Sequence, residues 1–293
     1  MSRPALSISS QVALLRSRGV HVESTQSKEF EQFLLDVNYF RAAGYWRNFQ
    51  RNPIEPTAGF LEGTSFKMLK DLYLWDSELR KLLSAGLADF EITFRSRFAH
   101  YFSVSRDPHS YLKTESHRDR IVETKSGLIA LRPLLIRSAS ADLKRSVEPT
   151  IVSCLENGTT PPIWAAIECF SMGTVSKMYL VADEDLRYQM ARSMKLRNPE
   201  IAEGLFHSLT VFRNRLAHHG RIWHHIPEYP PKVLRSLKTD PDTSIYERTP
   251  WGLIISLNHQ LEVITGKPDF GNRVLEHIDS APSFKLGLTH PRH

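Results

Sequence analysis

Between residues 83 and 101 the apolar side chains fall at Leu83, Leu87, Phe90, Phe94, Phe98 and Tyr101, in steps of 4, 3, 4, 4 and 3. At about 100° per residue these side chains share one face of an α-helix. A half-buried strand needs alternate spacing, which these steps never give. A stripe this long has to be covered by other elements, and the flanking segments repeat the helical pattern. Leu205, Leu209, Phe212 and Leu216 make a second stripe, with steps of 4, 3 and 4. The expected class is all-α.

Helices are expected over 8–18, capped by Ser9 or Ser10 and ended at Arg18-Gly19, and over 27–40. Pro53 and Pro56 make 48–63 a loop or a short strand pair. Residues 65–104 read as two helices broken near Asp76, and 106–126 as a polar loop with short helical pieces. A helix pair over 127–157 is interrupted by Pro133 and Pro149. Further helices are expected at 163–180, 183–197, 199–219 (stopped by Gly220) and 251–265, with a Pro-rich surface connection over 227–250. The chain then divides into an N-terminal helical extension with an aromatic loop (1–60), a helical domain (61–280) and a mobile tail (281–293).

No run approaches the roughly 20 apolar residues of a membrane span. The first residues lack the continuous apolar stretch of a secretory signal. The two cysteines, Cys154 and Cys169, make neither a metal-ligand spacing nor a disulfide framework. A reducing cytoplasm is expected, without membrane association. The net charge is +6, carried by 25 Arg and 13 Lys against 32 acidic residues. Residues 1–150 hold 22 of the basic and 17 of the acidic side chains. An arginine-biased excess suits a polyanion such as RNA, because guanidinium forks match phosphate oxygens. An ordinary surface of pI near 9 accounts for it equally well.

Nucleotide-binding and hydrolase signatures are missing: there is no GxGxxG, GxxxxGK[ST] or GxSxG. The notable cluster is Arg213-Asn214-Arg215-Leu216-Ala217-His218-His219-Gly220-Arg221-Ile222-Trp223-His224-His225. On its helix His218 points about 150° from the apolar stripe and Arg213 about 70°. Asn214 lies one turn before His218 on the same face. His219 falls at the stripe's edge, where packing or an internal hydrogen bond is expected. Arg-x4-His suits metal-free RNA cleavage. Imidazole can move the 2′-hydroxyl or leaving-group proton, and arginine can bind the phosphate charge.

The spacing alone is weak, since this composition yields about one such pair by chance, and the chain has three: Arg16/His21, Arg95/His100 and Arg213/His218. The first spans Gly19 at a helix end and is set aside. His100 lies about 120° from its own stripe and Arg95 about 100° on the other flank. Two bland readings stand beside the catalytic one: solvated surface histidines, and a zinc site drawn from His218, His219, His224 and His225. Adjacent histidines on a helix do not readily face one metal, and no metal is expected.

Several blocks, in order, carry a family resemblance: Pro4-Ala5-Leu6; Asn38-Tyr39-Phe40-Arg41 through Gly44-Tyr45-Trp46; Leu72-Tyr73-Leu74-Trp75-Asp76 with Leu79-Arg80; Phe90-Glu91-Ile92 with Arg95 and His100; Pro162-Ile163-Trp164 with Glu168 and Ser171-Met172-Gly173-Thr174; and Arg213-Asn214 with Ala217-His218-His219 and Arg221-Ile222-Trp223. From about residue 3 to 265 the chain resembles the Abi family of bacterial abortive-infection proteins, the AbiD/AbiF-like group. Trp75 and Met172 stand where that family often has Phe. The group is similar in turn to HEPN proteins, all-helical domains whose Arg-x4-6-His motif cleaves RNA without metal, and to the HEPN halves of RNA-guided nucleases.

The resemblance implies an all-α, HEPN-like helical bundle with an N-terminal helical extension, acting as a cytoplasmic phage-defence ribonuclease of toxin type. It makes Arg213 and His218 the main catalytic pair. Arg95 and His100 either complete that site, in one chain or across a homodimer, or line an RNA groove. Asn214, His219 and Glu91 would support it, and Arg97, Arg118, Arg120, Arg215 and Arg221 are candidate RNA contacts. No cofactor is implied. The alternatives are a non-cleaving module that holds a structured non-coding or antitoxin RNA, and a helical bundle for protein contacts.

Overall fold

Ser65 caps the longest element: its hydroxyl accepts from the Met68 amide (3.3 Å), and an uninterrupted helix of 40 residues follows. The computed structural model describes residues 5–124 and 127–292; Pro4 of the first resemblance block and His293 of the expected tail lie outside them. Thirteen α-helices occur among the described residues, and the all-α expectation holds. They are α1 (Ile8–Ser17), α2 (Ser27–Val37), α3 (Tyr39–Trp46), α4 (Phe66–Ser105), α5 (Leu131–Arg145), α6 (Pro149–Glu156), α7 (Ile163–Cys169), α8 (Met172–Val181), α9 (Glu184–Ser193), α10 (Pro199–Ala217), α11 (Pro250–Thr265), α12 (Asp269–Asp279) and α13 (Pro282–Thr289).

Helix α4 is the axis. Its stripe of Leu83, Leu87, Phe90, Phe94 and Phe98 is buried, and α7, α9, α10, α11 and α12 pack against it. No break occurs at Asp76. The stripe continues upstream through Leu69, Leu72, Asp76, Leu79 and Leu83, and the Asp76 carboxylate is fully buried in an i,i+4 pair with Arg80. An aspartate satisfied in this way does not compete for the helix backbone, which is what makes exposed aspartates break helices.

Other differences have local causes. Ser7, rather than Ser9 or Ser10, caps α1, accepting from the Ser10 amide at 3.2 Å. The helix expected over 27–40 ends at Val37, because Asn38 at φ +71 turns the chain and caps α3 with its own side chain. Residues 127–130, expected to be helical, pair with Ile121–Thr124 as a two-stranded antiparallel hairpin. Pro133 then sits in the first turn of α5 and Pro149 opens α6, positions that cost no helical hydrogen bond. The residues after 265 carry two more helices. Leu288 of α13 is buried, although the segment reads as a mobile tail from sequence. The Phe284 carbonyl accepts from Trp223 Nε1 (2.9 Å). Gly287 lets the two segments meet, since a Cβ there would overlap the Trp223 indole. Among the described residues no helix is long and apolar enough to cross a membrane.

Asp76 also accepts from the Tyr45 hydroxyl (2.6 Å) on α3 and from the backbone amides of Ile222 (3.2 Å) and Trp223 (2.8 Å) beyond α10. Asp76→Ala would strand the buried Arg80 guanidinium and both amides. The expected loss is about 3–5 kcal/mol, as for other broken buried pairs. A urea midpoint unchanged from the wild type would show that the network carries no stability.

Candidate active site

Helices α4 and α10 run antiparallel. The Phe206 ring lies 6.1 Å from Phe90 and 4.6 Å from Phe94; further along α10, Arg213 reaches Glu91, and Ile222 and Trp223 reach Asp76. Glu91 is the junction between the two Arg-x4-His segments. Its Oε1 accepts from Arg95 Nη2 (2.5 Å) and its Oε2 from Arg213 Nε (2.9 Å).

The two arginines then differ. Arg95 Nη2 also donates to the Phe170 carbonyl (2.8 Å), and the side chain is 17% exposed. That guanidinium is a strut between α4 and the α7–α8 turn. Arg213 is 39% exposed, held through Nε, with Nη1 3.4 Å from Asn214 Oδ1. One edge is anchored and the other faces outward, as a phosphate-binding guanidinium requires.

His218 is the C-cap of α10, and its ring is exposed, as its helical phase predicts. The turn behind it is a Schellman motif: the Gly220 amide donates to the Arg215 carbonyl (2.8 Å) and the His219 amide to the Leu216 carbonyl (2.8 Å). His219 occupies the left-handed position at φ +54, with its ring exposed, so it does not pack internally. The helical phase expected for it fails because the helix has already ended. The turn is pinned from outside. Arg41 Nη1 donates to the His219 carbonyl (2.6 Å), and Arg221 Nη1 to the Gly44 carbonyl.

The two histidines do not meet within one chain. His100 lies nine residues beyond Glu91 toward the C-terminus of α4. His218 lies five residues beyond Arg213 in the opposite direction. At 1.5 Å rise per residue they stand about 20 Å apart along the α4 axis. Exposed His100 lines a separate cavity of about 340 Å³ with Ser96, Ser103, Trp164 and Glu168.

The arginines expected to contact RNA spend donors inside the fold. Arg97 bonds the Ser193 carbonyl (2.5 Å), Arg120 pairs with Glu203, and Arg118 pairs with Glu184 (3.2 Å). Arg215 Nε donates to the Arg221 carbonyl (2.7 Å), and burial lowers its pKa. Arg221 stands over the Tyr45 ring. Among the described residues no three His, Cys, Asp or Glu side chains cluster as around a metal ion.

His224 is buried and His225 half-buried. Burial, with Arg221 and Arg292 nearby, pushes His224 down to about 4, and burial with Arg215 and Arg221 pushes His225 to about 4. Tyr45, Asp76 and Arg80, which fix the chain just past the turn carrying His218, were not singled out by the chemistry of the sequence. Their signal was two charges four residues apart, with Asp76 in line with the apolar stripe.

The family model for Abi-like proteins matches residues 32–224, from within α2 to the His224 position just past the Trp223 anchor. No curated protein and no solved structure matches the chain.

Two outcomes follow from the geometry. His219→Gly should stabilise the protein by about 1 kcal/mol, because glycine enters the left-handed region without the Cβ clash; a lowered thermal midpoint would mean that the ring makes a contact after all. The second concerns pH. The folded state disfavours protonated His224 and His225, whereas the unfolded chain takes up those protons near pH 6.5. Their stability contribution is present above that value and lost as pH falls toward about 4. Melts between pH 7 and 4.5 should fall, and His225→Gln should flatten the slope; an equal slope in the variant would exclude His225 as a cause.

Proposed function

The chain belongs to the Abi-like protein family, and from that membership and the Glu91–Arg213–His218 arrangement we propose that it is a metal-independent endoribonuclease of toxin type, HEPN-like in its chemistry. The family implies abortive infection, a defence against phage. One observation carries the nuclease reading: a guanidinium anchored through its Nε by a buried carboxylate, followed five residues later by an exposed imidazole on a pinned helix end.

In the proposed reaction His218 removes the proton from a ribose 2′-hydroxyl. The 2′-oxygen attacks phosphorus, the bond to the 5′-oxygen breaks, and a 2′,3′-cyclic phosphate forms. The leaving oxygen takes a proton from imidazolium or solvent. Arg213 holds the non-bridging oxygens as charge builds on them. Asn214, one turn before His218, is placed to orient phosphate or ribose. Glu91 and Arg95 are positioning residues: they aim Arg213 and touch no substrate. His100 of the same chain lies too far away to act on the same phosphate, so a second histidine would come from another copy.

His218→Ala and Arg213→Ala should each abolish RNA cleavage. For His218→Ala the melting free energy should stay within about 0.5 kcal/mol of wild type, as for exposed positions generally. His100→Ala should cleave normally when the protein is assayed as a monomer. Activity should persist in excess EDTA and leave cyclic phosphate ends. Loss in EDTA with recovery on adding magnesium would overturn the mechanism. Copurifying RNA that stays intact with wild-type protein would turn the reading to an RNA holder.

A further inference from the structure

The connection between His225 and α11 lies beyond the segment matched by the family model, which ends at residue 224. Two adjoining grooves open along it, of about 450 and 580 Å³, and both are lined by Glu247 and Arg248. The first also carries Lys232, Arg235 and Lys238. The second also carries Arg292. Lys238 is paired with Glu247 (3.5 Å). Lys232, Arg235 and Arg248 are exposed, and their side chains make no hydrogen bond or ion pair within the described residues. Arg248 stands at φ +55, where the two grooves meet.

This sets the surface apart from the other arginines expected to contact RNA. Arg97, Arg118, Arg120, Arg215 and Arg221 are committed to carbonyls or carboxylates of the fold. A polyanion gains little from a guanidinium that is already satisfied, and more from cations whose partners are water and counterions. Pro230, Pro231 and the buried Tyr246 ring give the first groove a firm floor. Tyr246 is itself held by the Thr239 and Asp240 amides, both at 3.1 Å.

We infer that this double groove is an RNA backbone-binding site, in which Lys232, Arg235 and Arg248 contact successive phosphates of a single strand. The inference rests on the RNA reading above. It separates holding from cutting: the strand is held by the 232–248 connection and cut at the end of α10.

The test is fluorescence anisotropy with a labelled 2′-O-methyl 20-mer, which has the phosphate backbone but no 2′-hydroxyl to attack. The variants are Lys232→Glu/Arg235→Glu/Arg248→Glu together, the same three changed to Gln, and His218→Ala. Charge reversal should weaken binding at least tenfold at low salt. The Gln variant should bind between the two and flatten the salt slope by about two, for three lost single-strand phosphate contacts; it also decides the question if the Glu variant fails to fold. His218→Ala should bind as wild type. Wild-type binding with no loss in either triple variant would overturn the groove and leave the RNA reading standing. No binding by wild type would overturn both. Displacement of the oligonucleotide by millimolar uridine monophosphate would show a nucleotide site instead of a backbone track.

Discussion

The Asp76 carboxylate, shut off from solvent, accepts hydrogen bonds from three parts of the chain that are far apart in sequence. They are the Tyr45 hydroxyl on α3, the Arg80 guanidinium on α4 and the amides of Ile222 and Trp223 beyond α10. Removing a carboxylate from water is costly, and a buried ion pair recovers that cost only when its remaining hydrogen bonds are satisfied. Both oxygens are satisfied here. The result is registration: the N-terminal helices, the central helix and the chain leaving α10 are fixed to one point. Arg221 and Arg41 reinforce it from outside by bonding across the same turn. His218 therefore ends a helix whose C-terminal turn is tied by hydrogen bonds to α3, and the chain just past it to α4.

Glu91 does for the arginine what Asp76 does for the histidine. Each junction uses one buried carboxylate to join α4 to α10 or to the chain that leaves it, and the two acids lie on the same helix. The position of the proposed phosphate-binding group and that of the proposed base are thus both referred to α4. Rigid reference of this kind is what preorganised charge stabilisation needs, since an arginine free to move would have to be ordered during the reaction.

Much of this was legible in the residues. The stripes at 83–98 and 205–216 are buried faces, and the exposed side of the second one carries His218. Periodicity reports which side of a helix is covered, and it did so wherever the helix continued. It failed where the helix ended: His219 was assigned a phase that a left-handed residue does not have. The break expected at Asp76 failed for a different reason. An aspartate signals a helix end only when solvent or local backbone satisfies it, and here its partners come from 31 residues before it and up to 147 after it. Helix α12 was readable, since Phe270, Val274 and Ile278 are four apart, but the segment is short and flanked by Gly and Pro.

The two Arg-x4-His segments show what spacing leaves out. Both lie on amphipathic helices with the histidine on the polar side, and both arginines bind the same carboxylate. Antiparallel packing makes them unequal. From a shared point at Glu91, one segment runs toward the open end of α10 and the other toward the α7 side of α4, so their histidines diverge. Arg95 then has a carbonyl to satisfy as well, and its guanidinium closes inward, while that of Arg213 keeps an outward edge. A motif defined by six residues of sequence thus acquires its meaning from the direction of the neighbouring helix. The same reasoning applies to the positive charge. Twenty-five arginines suggest a polyanion partner in the count, but Arg97, Arg120 and Arg215 among them are bound within the fold. The charge that remains for a partner is set by which guanidinium groups the fold has left unpaired.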